Sequence, residues 1–418
     1  MTRTFGHARP WRARGVVLIV SILAAQPAWG ATLRVCPEGC AYKAIQPAID
    51  AAAAGDLIRI GRGRFEGALA IAGKALRIEG EGPTRTLIDA GESDTDRSTW
   101  APALRLDCTS AADIRISGVG ISGGRTESDF DNDLPDYGAG VRNAGCTVVL
   151  FDSIITDNEH SVTRGTRRLK GGGAGIANLA GGTMTLRDVV VIGNRITGGA
   201  GTALGAGIYN EGRLVVVDSR LYGNTARSYF NAPEPSMEPS MEAPTSTADV
   251  VVPQSPPPVF LGQGGGLYNR GGVVTLRDSV VTGNLVEGFR AASSGGGLAT
   301  SGGRLTVIGS TIARNSSAGG DPSLPSNSGQ GGGIFADGRV LLRDVSVVRN
   351  VALTRGGGIL VTGAGTLTLD QAEIQHNRAS GPSPAGGGIM TLPGGSVTAT
   401  DARIDHNRPD DCAGAFGC

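Results

Sequence analysis

The stretch that decides the fold is residues 264–284, GGGLYNRGGVVTLRDSVVTGN. After its glycines come three short segments in which aliphatic and polar residues alternate. Their aliphatic positions are Leu267, then Val274 and Leu276, then Val281. Alternation with a period of two predicts β-strands that each have one apolar face. The stretch therefore predicts three short strands separated by turns.

The same template occurs eight times, aligned on an asparagine that follows the third segment. Three residues before each of these asparagines stands an aliphatic residue. A unit this small cannot bury its inner face alone, so the copies must stack and supply one continuous core. The sequence thus predicts an all-β solenoid, a parallel β-helix, whose 68 glycines suit corners that have no room for a Cβ. The aligned asparagines are Asn158, Asn194, Asn224, Asn284, Asn315, Asn350, Asn377 and Asn407.

Stacking predicts ladders of equivalent side chains, about 4.8 Å apart. We expect the asparagines to form a structural ladder of hydrogen-bonded amides and to occupy backbone of positive φ, which asparagine tolerates. An aspartate lies six residues before the asparagine in six copies, and Gly309 and Gln371 replace it in two others. These aspartates would either accept hydrogen bonds from backbone N–H groups or form a row that binds Ca²⁺. They are Asp152, Asp188, Asp218, Asp278, Asp344 and Asp401.

The N-terminal part of the chain lacks the template but suits the end of a solenoid. Residues 42–54 are rich in alanine and end before Gly55, which predicts a short capping α-helix over the open first coil. Strands are then predicted at residues 57–60, 68–71, 75–78 and 86–88. The predicted divisions are a signal peptide at 1–30, a cap with first coils at 31–125, glycine-rich coils at 126–407 and a cysteine-containing cap at 408–418.

An export signal is predicted at the N-terminus. Four arginines precede an apolar run at residues 16–25, and small residues precede a cleavage position after Gly30. We therefore expect a secreted, extracellular or cell-envelope protein with no transmembrane segment in the mature chain. Removing the four arginines leaves 34 basic residues against 38 acidic ones, a net charge of about −4. That balance argues against nucleic acid as a partner.

The six cysteines suggest disulfides, as is usual for an exported chain. The preferred pairing joins neighbours in the sequence, although other connectivities and a zinc site remain alternatives. The preferred pairs are Cys36 with Cys40, Cys108 with Cys146, and Cys412 with Cys418.

Coil length varies between each asparagine and the next glycine run, so loops are expected at one edge of the solenoid. The longest, at about residues 226–262, is rich in proline, serine and glutamate, which predicts disorder. Loops on a rigid scaffold often carry binding sites. The predicted loops are residues 159–170, 195–204, 225–262, 285–294, 316–330, 351–355 and 378–385.

Three polar groups are candidate sites. A basic cluster is either a solvated loop or a site for an acidic sugar. An alternating acidic loop resembles part of a Ca²⁺-binding loop but lacks the glycine and the closing glutamate of that motif, so it is either a Ca²⁺ site or a solvated loop. Ca²⁺ is the one cofactor that the sequence suggests. His376 and His406 precede equivalent asparagines and should stack on the surface, as exposed side chains or a metal pair. The basic cluster is Arg164, Arg167, Arg168 and Lys170, and the acidic loop is Asp129, Asp131, Asp133 and Asp136.

Two segments resemble the opening of pectin-lyase-like right-handed parallel β-helix proteins. They are residues 41–58, which contain AYKAIQPAIDAA and GDLI, and residues 77–82, RIEGEG. The later coils are similar to the repeats of chlamydial polymorphic outer-membrane proteins. The resemblance implies a right-handed solenoid, and it leaves activity open because such folds host lyases, hydrolases, esterases and adhesins.

No sequence motif compels a reaction. The β-helix hydrolase motifs Asn-Thr-Asp and Gly-His-Gly are absent from the sequence, and its one Asp-Asp pair is Asp410-Asp411. The leading hypothesis is an exported, non-catalytic β-helix with a structural or adhesive role at a surface. The alternative is a carbohydrate-active lyase or hydrolase acting on an acidic polysaccharide, with polysaccharide or cell-surface components as partners in either case.

Overall fold

The structure is a computed structural model that describes residues 30–91, 100–109, 112–128, 137–162, 170–198, 202–229, 261–289, 292–319, 329–381, 385–416 and 418. Within these ranges the chain forms 42 strands and one short helix. Every strand pairing among them is parallel. Strands that wind repeatedly in one direction build a parallel β-helix, and such parallel crossovers are right-handed. The fold is the right-handed parallel β-helix that the sequence predicts.

The elements follow one another in chain order. The N-terminal coils contain β1 (Thr32–Val35), α1 (Ile45–Ala51), β2 (Leu57–Ile60), β3 (Gly63–Glu66), β4 (Leu69–Ala72), β5 (Leu76–Glu79), β6 (Thr86–Asp89), β7 (Leu104–Asp107), β8 (Asp113–Ser117), β9 (Gly120–Ser122) and β10 (Arg125–Ser128). The middle coils contain β11 (Val141–Ala144), β12 (Thr147–Thr156), β13 (Glu159–Val162), β14 (Lys170–Gly172), β15 (Ile176–Asn178), β16 (Thr183–Ile192), β17 (Arg195–Gly198), β18 (Thr202–Leu204), β19 (Ile208–Asn210), β20 (Arg213–Val217), β21 (Arg220–Tyr222), β22 (Thr225–Tyr229), β23 (Leu261–Gln263), β24 (Leu267–Arg270), β25 (Val273–Arg277), β26 (Val280–Thr282), β27 (Leu285–Phe289) and β28 (Ala292–Ser294). The last coils contain β29 (Leu298–Ile308), β30 (Thr311–Ala313), β31 (Ser316–Gly319), β32 (Ile334–Arg343), β33 (Ser346–Val348), β34 (Val351–Ala352), β35 (Ile359–Val361), β36 (Thr366–Asp370), β37 (Glu373–Gln375), β38 (Arg378–Ala379), β39 (Ile389–Thr391), β40 (Ser396–Thr400), β41 (Arg403–Asp405) and β42 (Cys412–Gly414).

Three stacks of strands enclose the core. In the coil that contains residues 264–284, β24 lies in the first stack, β25 in the central stack and β26 in the third stack. Each pairs with its equivalent in the next coil, so Leu267 lies beside Leu298 and Val281 beside Ile312. The aliphatic residues of the template are buried in one continuous core, except that Val397 and Ile404 in the last coil are only partly buried against it. Each such side chain contributes about 1.5–3 kcal/mol to folding, which stacked coils together can supply and a single coil cannot.

Two further sheets were not predicted from the sequence. An eight-stranded sheet runs through β10, β13, β17, β22, β27, β31, β34 and β38, and a four-stranded sheet contains β14, β18, β23 and β28. Apart from β10, their strands lie wholly or partly in segments that were predicted to be loops. Even the segment predicted to be disordered begins in β22 and ends in β23, while residues 230–260 lie outside the described ranges.

The N-terminal cap is a helix, shorter than expected. Helix α1 covers Ile45–Ala51 rather than residues 42–54, because Ala44 and Ala52 have extended backbone. The Nζ of Lys74 donates to the carbonyl oxygens of Ile49 and Ala52, both at 2.9 Å, and so satisfies carbonyls at the end of the helix. The strands predicted near residues 57, 68, 75 and 86 are β2, β4, β5 and β6, and β1 and β3 were missed.

The recurring aspartates lie at a corner with left-handed backbone. Asp218 has φ +49° and Asp278 has φ +49°, while Gly309 and Gln371 have φ +58° and +53° at the same position. No described hydrogen bond involves the carboxylates of the six aspartates that define this row. The row is therefore explained by backbone conformation, because aspartate and glycine tolerate positive φ. The expected hydrogen bonding to backbone N–H groups is wrong for this corner.

Three disulfides are present, with the preferred pairing. Cys36 bonds to Cys40, Cys412 to Cys418, and Cys108 to Cys146, which joins two neighbouring coils. No helix in the described part of the chain is both long and apolar enough to cross a membrane. Of the predicted signal peptide, residues 1–29 lie outside the described ranges.

Candidate functional site

The turn that joins the third stack to the eight-stranded sheet is the asparagine corner, defined by the eight aligned asparagines from Asn158 to Asn407. Its left-handed residue is the one before each asparagine, such as Asp157 with φ +53° or Arg349 with φ +56°. The asparagine itself is buried and does not adopt positive φ. The prediction that asparagine occupies the positive-φ position is therefore wrong by one residue.

Each buried amide at this corner bonds to two neighbouring coils. The Nδ2 of Asn194 donates to the carbonyl oxygen of Ile155 at 3.0 Å and to Oδ1 of Asn224 at 3.0 Å. Its Oδ1 accepts the backbone N–H of Asn158 at 3.2 Å. At the C-terminal end Asp411 replaces a further rung, since its Oδ1 accepts from the Nδ2 of Asn407 at 3.0 Å. The ladder satisfies backbone groups that the turn would otherwise leave buried and unpaired.

The corner opens into a charged cleft at its N-terminal end. The cleft has a volume of about 470 Å³ and lies where the eight-stranded sheet begins. Chain segments far apart in sequence form its walls, because β3, β6 and β9 belong to successive coils of the third stack. Its lining residues are Arg64, Leu87, Asp89, Ser122, Gly123, Arg125, Asp157, Asn158, Glu159, Gly193 and Arg195.

Basic and acidic side chains are balanced in this cleft. Arg64 Nη2 lies 2.8 Å from Oδ2 of Asp89, whose side chain is only 9% exposed. The backbone N–H of Gly91 donates to Oδ1 of Asp89 at 3.0 Å, and Ser122 Oγ donates to Oδ2 at 3.3 Å. The cleft therefore holds one anchored carboxylate beside an arginine that is half exposed.

A column of alternating charge forms the second wall. Arg125, Glu159 and Arg195 occupy equivalent positions in three successive coils, so their side chains project from the same row of the eight-stranded sheet. Guanidinium N–H groups and carboxylate oxygens placed this closely supply donors and acceptors for a polar ligand. The arrangement suits the hydroxyl and carboxylate groups of a sugar.

A buried tyrosine row is the second polar cluster of the molecule. Tyr137 and Tyr209 stack with ring centroids 4.7 Å apart, and Tyr268 follows at 5.9 Å. The hydroxyl of Tyr209 donates to Oε1 of Glu211 at 2.6 Å, and Arg270 lies 3.5 Å from the same oxygen. Burial raises the pKa of all three tyrosine hydroxyls. The rings are covered, so they support the first stack rather than present a stacking surface to a ligand.

His160 lies inside the eight-stranded sheet. Its ring is fully buried, with Nδ1 2.8 Å from Oγ1 of Thr126 and Nε2 3.2 Å from Oγ of Ser128. Burial lowers the pKa of His160 to about 4, because the charged imidazolium would lose its hydration. The histidine is therefore neutral at pH 7 and belongs to the sheet interior.

The structure places only some of the candidate site residues that were predicted from the sequence. Asp129, Asp131, Asp133, Asp136, Arg164, Arg167 and Arg168 lie outside the described ranges, and Lys170 begins β14. His376 and His406 stack as predicted, with ring centroids 5.3 Å apart. Within the residues that the structure describes, no group of three histidine, cysteine, aspartate or glutamate side chains is arranged to hold a metal ion.

The cleft was not predicted from the sequence. Arg195 is more than a hundred residues from Arg64 and Asp89 in the sequence, and none of the three stands in a recognisable motif. The template could have located the lining residues that stand at or beside the aligned asparagines, which are Asp157, Asn158, Glu159, Gly193 and Arg195. Their approach to Arg64 depends on the stacking of coils.

No protein family model matches the chain, and no curated protein sequence matches it. Among solved structures it is similar to pectate lyase Pel9A, with 13% identity over 92% of this chain and 82% of that one, at a TM-score of 0.41. It is similar to the pectin methylesterase from carrot, with 11% identity over 89% and 84% of the chains and a TM-score of 0.31. A pectin methylesterase from Aspergillus niger has 11% identity over 94% and 92%, with a TM-score of 0.30. Likeness at this level carries no inference about activity.

Proposed function

We propose that the chain is an exported, non-catalytic β-helix that serves as a structural or adhesive element outside the cell. The observation that carries the proposal is the ladder of buried asparagines, which runs without a gap through eight coils. A ladder of this kind makes a rigid rod whose surface repeats every coil. Disulfides at both ends of the described chain are typical of an oxidising, extracytoplasmic compartment.

The charged cleft would provide the adhesive contact of this rod. Its donors and acceptors come from Arg64, Asp89, Glu159 and Arg195, which stand on paired strands and are therefore held in place without a ligand. Rigid polar groups lose little entropy on binding. Hydroxyl-rich glycans at a surface are the ligands that such groups fit.

Binding and turnover by the purified mature protein would test this proposal together. We expect retention on a panel of immobilised glycans and no release of reducing ends or unsaturated products from pectate, alginate or glycosaminoglycans, with or without Ca²⁺. The double substitution Arg64→Gln/Arg195→Gln should weaken glycan binding by about tenfold, the loss expected for two charge-assisted hydrogen bonds.

A control variant is available at the end of β32, in the last coils. Arg343 Nε lies 2.7 Å from Oδ2 of Asp370, an exposed ion pair outside the cleft, so Arg343→Gln should leave binding unchanged. An equal loss in both variants would show that the cleft is not the contact. Product release by the unmodified protein would overturn the non-catalytic assignment.

A carbohydrate-active enzyme is the second candidate, and the same cleft favours it. A carboxylate such as Asp89 or Glu159 beside arginines could act as a base next to groups that neutralise an acidic sugar. For this candidate, Asp89→Asn and Glu159→Gln should abolish turnover while they preserve binding. Turnover that survives both substitutions would place the chemistry elsewhere in the chain.

A further inference from the structure

A basic ridge occupies the C-terminal half of the asparagine corner. The ridge is defined by the left-handed residues of four successive coils, Arg314, Arg349, His376 and His406. Hydrogen bonds between the asparagines that follow them, such as Asn315 to Asn350 and Asn377 to Asn407, show that these coils are adjacent. All four side chains are exposed. Their φ angles lie between +54° and +59°.

Backbone of positive φ is uncommon for arginine, whereas histidine occurs there more often than most residues. In the three preceding coils the same position is glycine, at Gly193, Gly223 and Gly283, each with φ between +63° and +66°. Glycine adopts positive φ without steric cost, whereas a side chain with a Cβ is strained there. Strained residues cluster at sites where the side chain has a function. Two consecutive coils thus carry arginine, and the next two carry histidine, at a position that the three preceding coils fill with glycine.

The arginines of the ridge are available to a ligand. Neither Arg314 nor Arg349 forms an ion pair with any residue in the described ranges. Two further arginines, Arg378 and Arg408, add positive charge beside the ridge. Both are exposed, and they lie in neighbouring coils whose backbones form a parallel β-bridge at this position. The ridge therefore concentrates cations on a chain whose mature form is slightly acidic.

The carboxylates near the ridge are already engaged. Asp405 accepts from Nε of Arg403 at 2.7 Å and from Nε2 of Gln375 at 2.7 Å, and its Oδ1 lies 3.0 Å from Nδ1 of His406. Asp410 accepts the backbone N–H groups of Ala385 and Gly387. Asp405 borders one end of the ridge, so the arginine end is the more positive one.

The spacing of the ridge matches a linear ligand. Side chains in adjacent coils lie about 4.8 Å apart, so four of them cover roughly 14 Å along the axis of the rod. A polymer that carries a negative group on every unit could place successive groups on successive coils. Acidic polysaccharides have this form, and the acidic balance of the mature chain disfavours nucleic acid.

We propose that the ridge binds an anionic polysaccharide that lies parallel to the axis of the β-helix, with Arg314 and Arg349 as its main contacts. The inference rests on the proposed extracellular adhesive function and adds a second binding surface to it. The ridge is separate from the charged cleft, because the coils of Gly223 and Gly283 lie between Gly193, which lines the cleft, and Arg314, which begins the ridge.

Binding of the full mature chain to polygalacturonate and to heparin, measured by calorimetry at low and moderate salt, would test the ridge. The variant Arg314→Gln/Arg349→Gln should bind at least about tenfold more weakly at low salt and show a shallower salt dependence, since two ionic contacts are lost. Arg314→Gly/Arg349→Gly should show the same loss with an unchanged or higher melting temperature, because glycine already occupies this position in Gly283 and its equivalents.

The control removes the same charge from the same two coils. Arg304 and Arg339 are exposed, adjacent in register and located on the central stack, so Arg304→Gln/Arg339→Gln should change affinity less than about twofold. An equal loss of affinity in the control would show that binding depends only on the net charge of the protein, and it would overturn the proposal. Equal affinity for single-stranded DNA would overturn the assignment to polysaccharide.

The two proposals fail in different ways. Absence of polyanion binding would overturn the ridge while leaving a structural role for the rod. Release of unsaturated or reducing products would overturn the non-catalytic function, whereas a ridge-dependent affinity would still support the ridge.

Discussion

The described part of this β-helix contains two ladders of buried asparagines, and they differ in length. At the asparagine corner the ladder has eight rungs, whereas the turn between the first and central stacks has four among the described residues, at Asn143, Asn178, Asn210 and Asn269. Beyond Asn269 the equivalent residues are Thr300, Ala336, Val361 and Thr391, which are buried without an amide.

The difference follows from what each amide bonds to. At the asparagine corner the amide of each rung binds backbone groups of the neighbouring coil as well as the next rung. In the shorter ladder the amide mainly closes its own turn, as the Nδ2 of Asn210 does with the carbonyl oxygen of Gly212 at 3.0 Å. Where the turn is closed by other bonds, such as Thr300 Oγ1 to the carbonyl oxygen of Gly302, the asparagine can be replaced. The asparagines of the longer ladder therefore satisfy backbone groups of the neighbouring coil, whereas those of the shorter ladder can be replaced by other residues.

The largest expected difference between the two ladders is in the free energy of unfolding that is lost when one asparagine is removed from each. Asn224→Ala deletes the acceptor for the backbone N–H and Nδ2 of Asn194 and the donor to the carbonyl oxygen of Val191. We expect a loss of about 3–5 kcal/mol in the free energy of unfolding, since several buried groups become unpaired. Asn210→Ala leaves fewer groups unpaired and should cost about 1–3 kcal/mol. Denaturant titrations of both variants would measure this, and equal losses would refute the distinction.

Acid should weaken the eight-stranded sheet that follows the asparagine corner. Burial holds the pKa of His160 at about 4, against about 6.5 in an unfolded chain. Between pH 6.5 and 4 the unfolded chain binds a proton that the folded chain does not. The free energy of unfolding should therefore fall with pH by up to about 3 kcal/mol, and the loss should be absent above pH 6.5.

The variant His160→Ile isolates this contribution from the carboxylates that also titrate. Ile196 occupies the equivalent inward position in the next coil, so isoleucine suits the site. Unfolding at pH 7 and pH 4.5 should differ less in the variant than in the unmodified protein. An identical difference in both proteins would mean that His160 does not control the acid response.

Substitutions at the corner between the central and third stacks should lower the free energy of unfolding least, because this corner contains no asparagine ladder. Asp218 has φ +49°, so Asp218→Val should cost about 1–2 kcal/mol through backbone strain. Asp218→Gly should change the free energy of unfolding by less than about 1 kcal/mol, since Gly309 holds the same position. Melting temperatures of the two variants would check the order, and a costly glycine would point to an unrecognised role for the carboxylate.

The fold could be read from the sequence because each coil repeats the same spacing. Val281 and Asn284 stand at offsets that occur eight times, and in a stacked structure equal offsets become neighbouring side chains. The core, the asparagine ladder and the stacking of His376 on His406 all follow from that regularity. The preferred disulfide pairs joined cysteines that lie near each other in the chain, and proximity is visible in a sequence.

Only the tertiary structure decided the features that depend on backbone angles or on distant coils. The sequence shows that an asparagine ends each third strand, but only the fold shows that Asp157 or Arg349, one residue earlier, carries the left-handed backbone. The charged cleft contains both Arg64 and Arg195, and the basic ridge runs from Arg314 to His406. Both exist because stacking places the equivalent residues of adjacent coils within a few ångströms of each other. A periodic sequence determines which residues share a row, whereas the path of the chain around each corner determines which rows face inward, meet in a cleft or stand exposed.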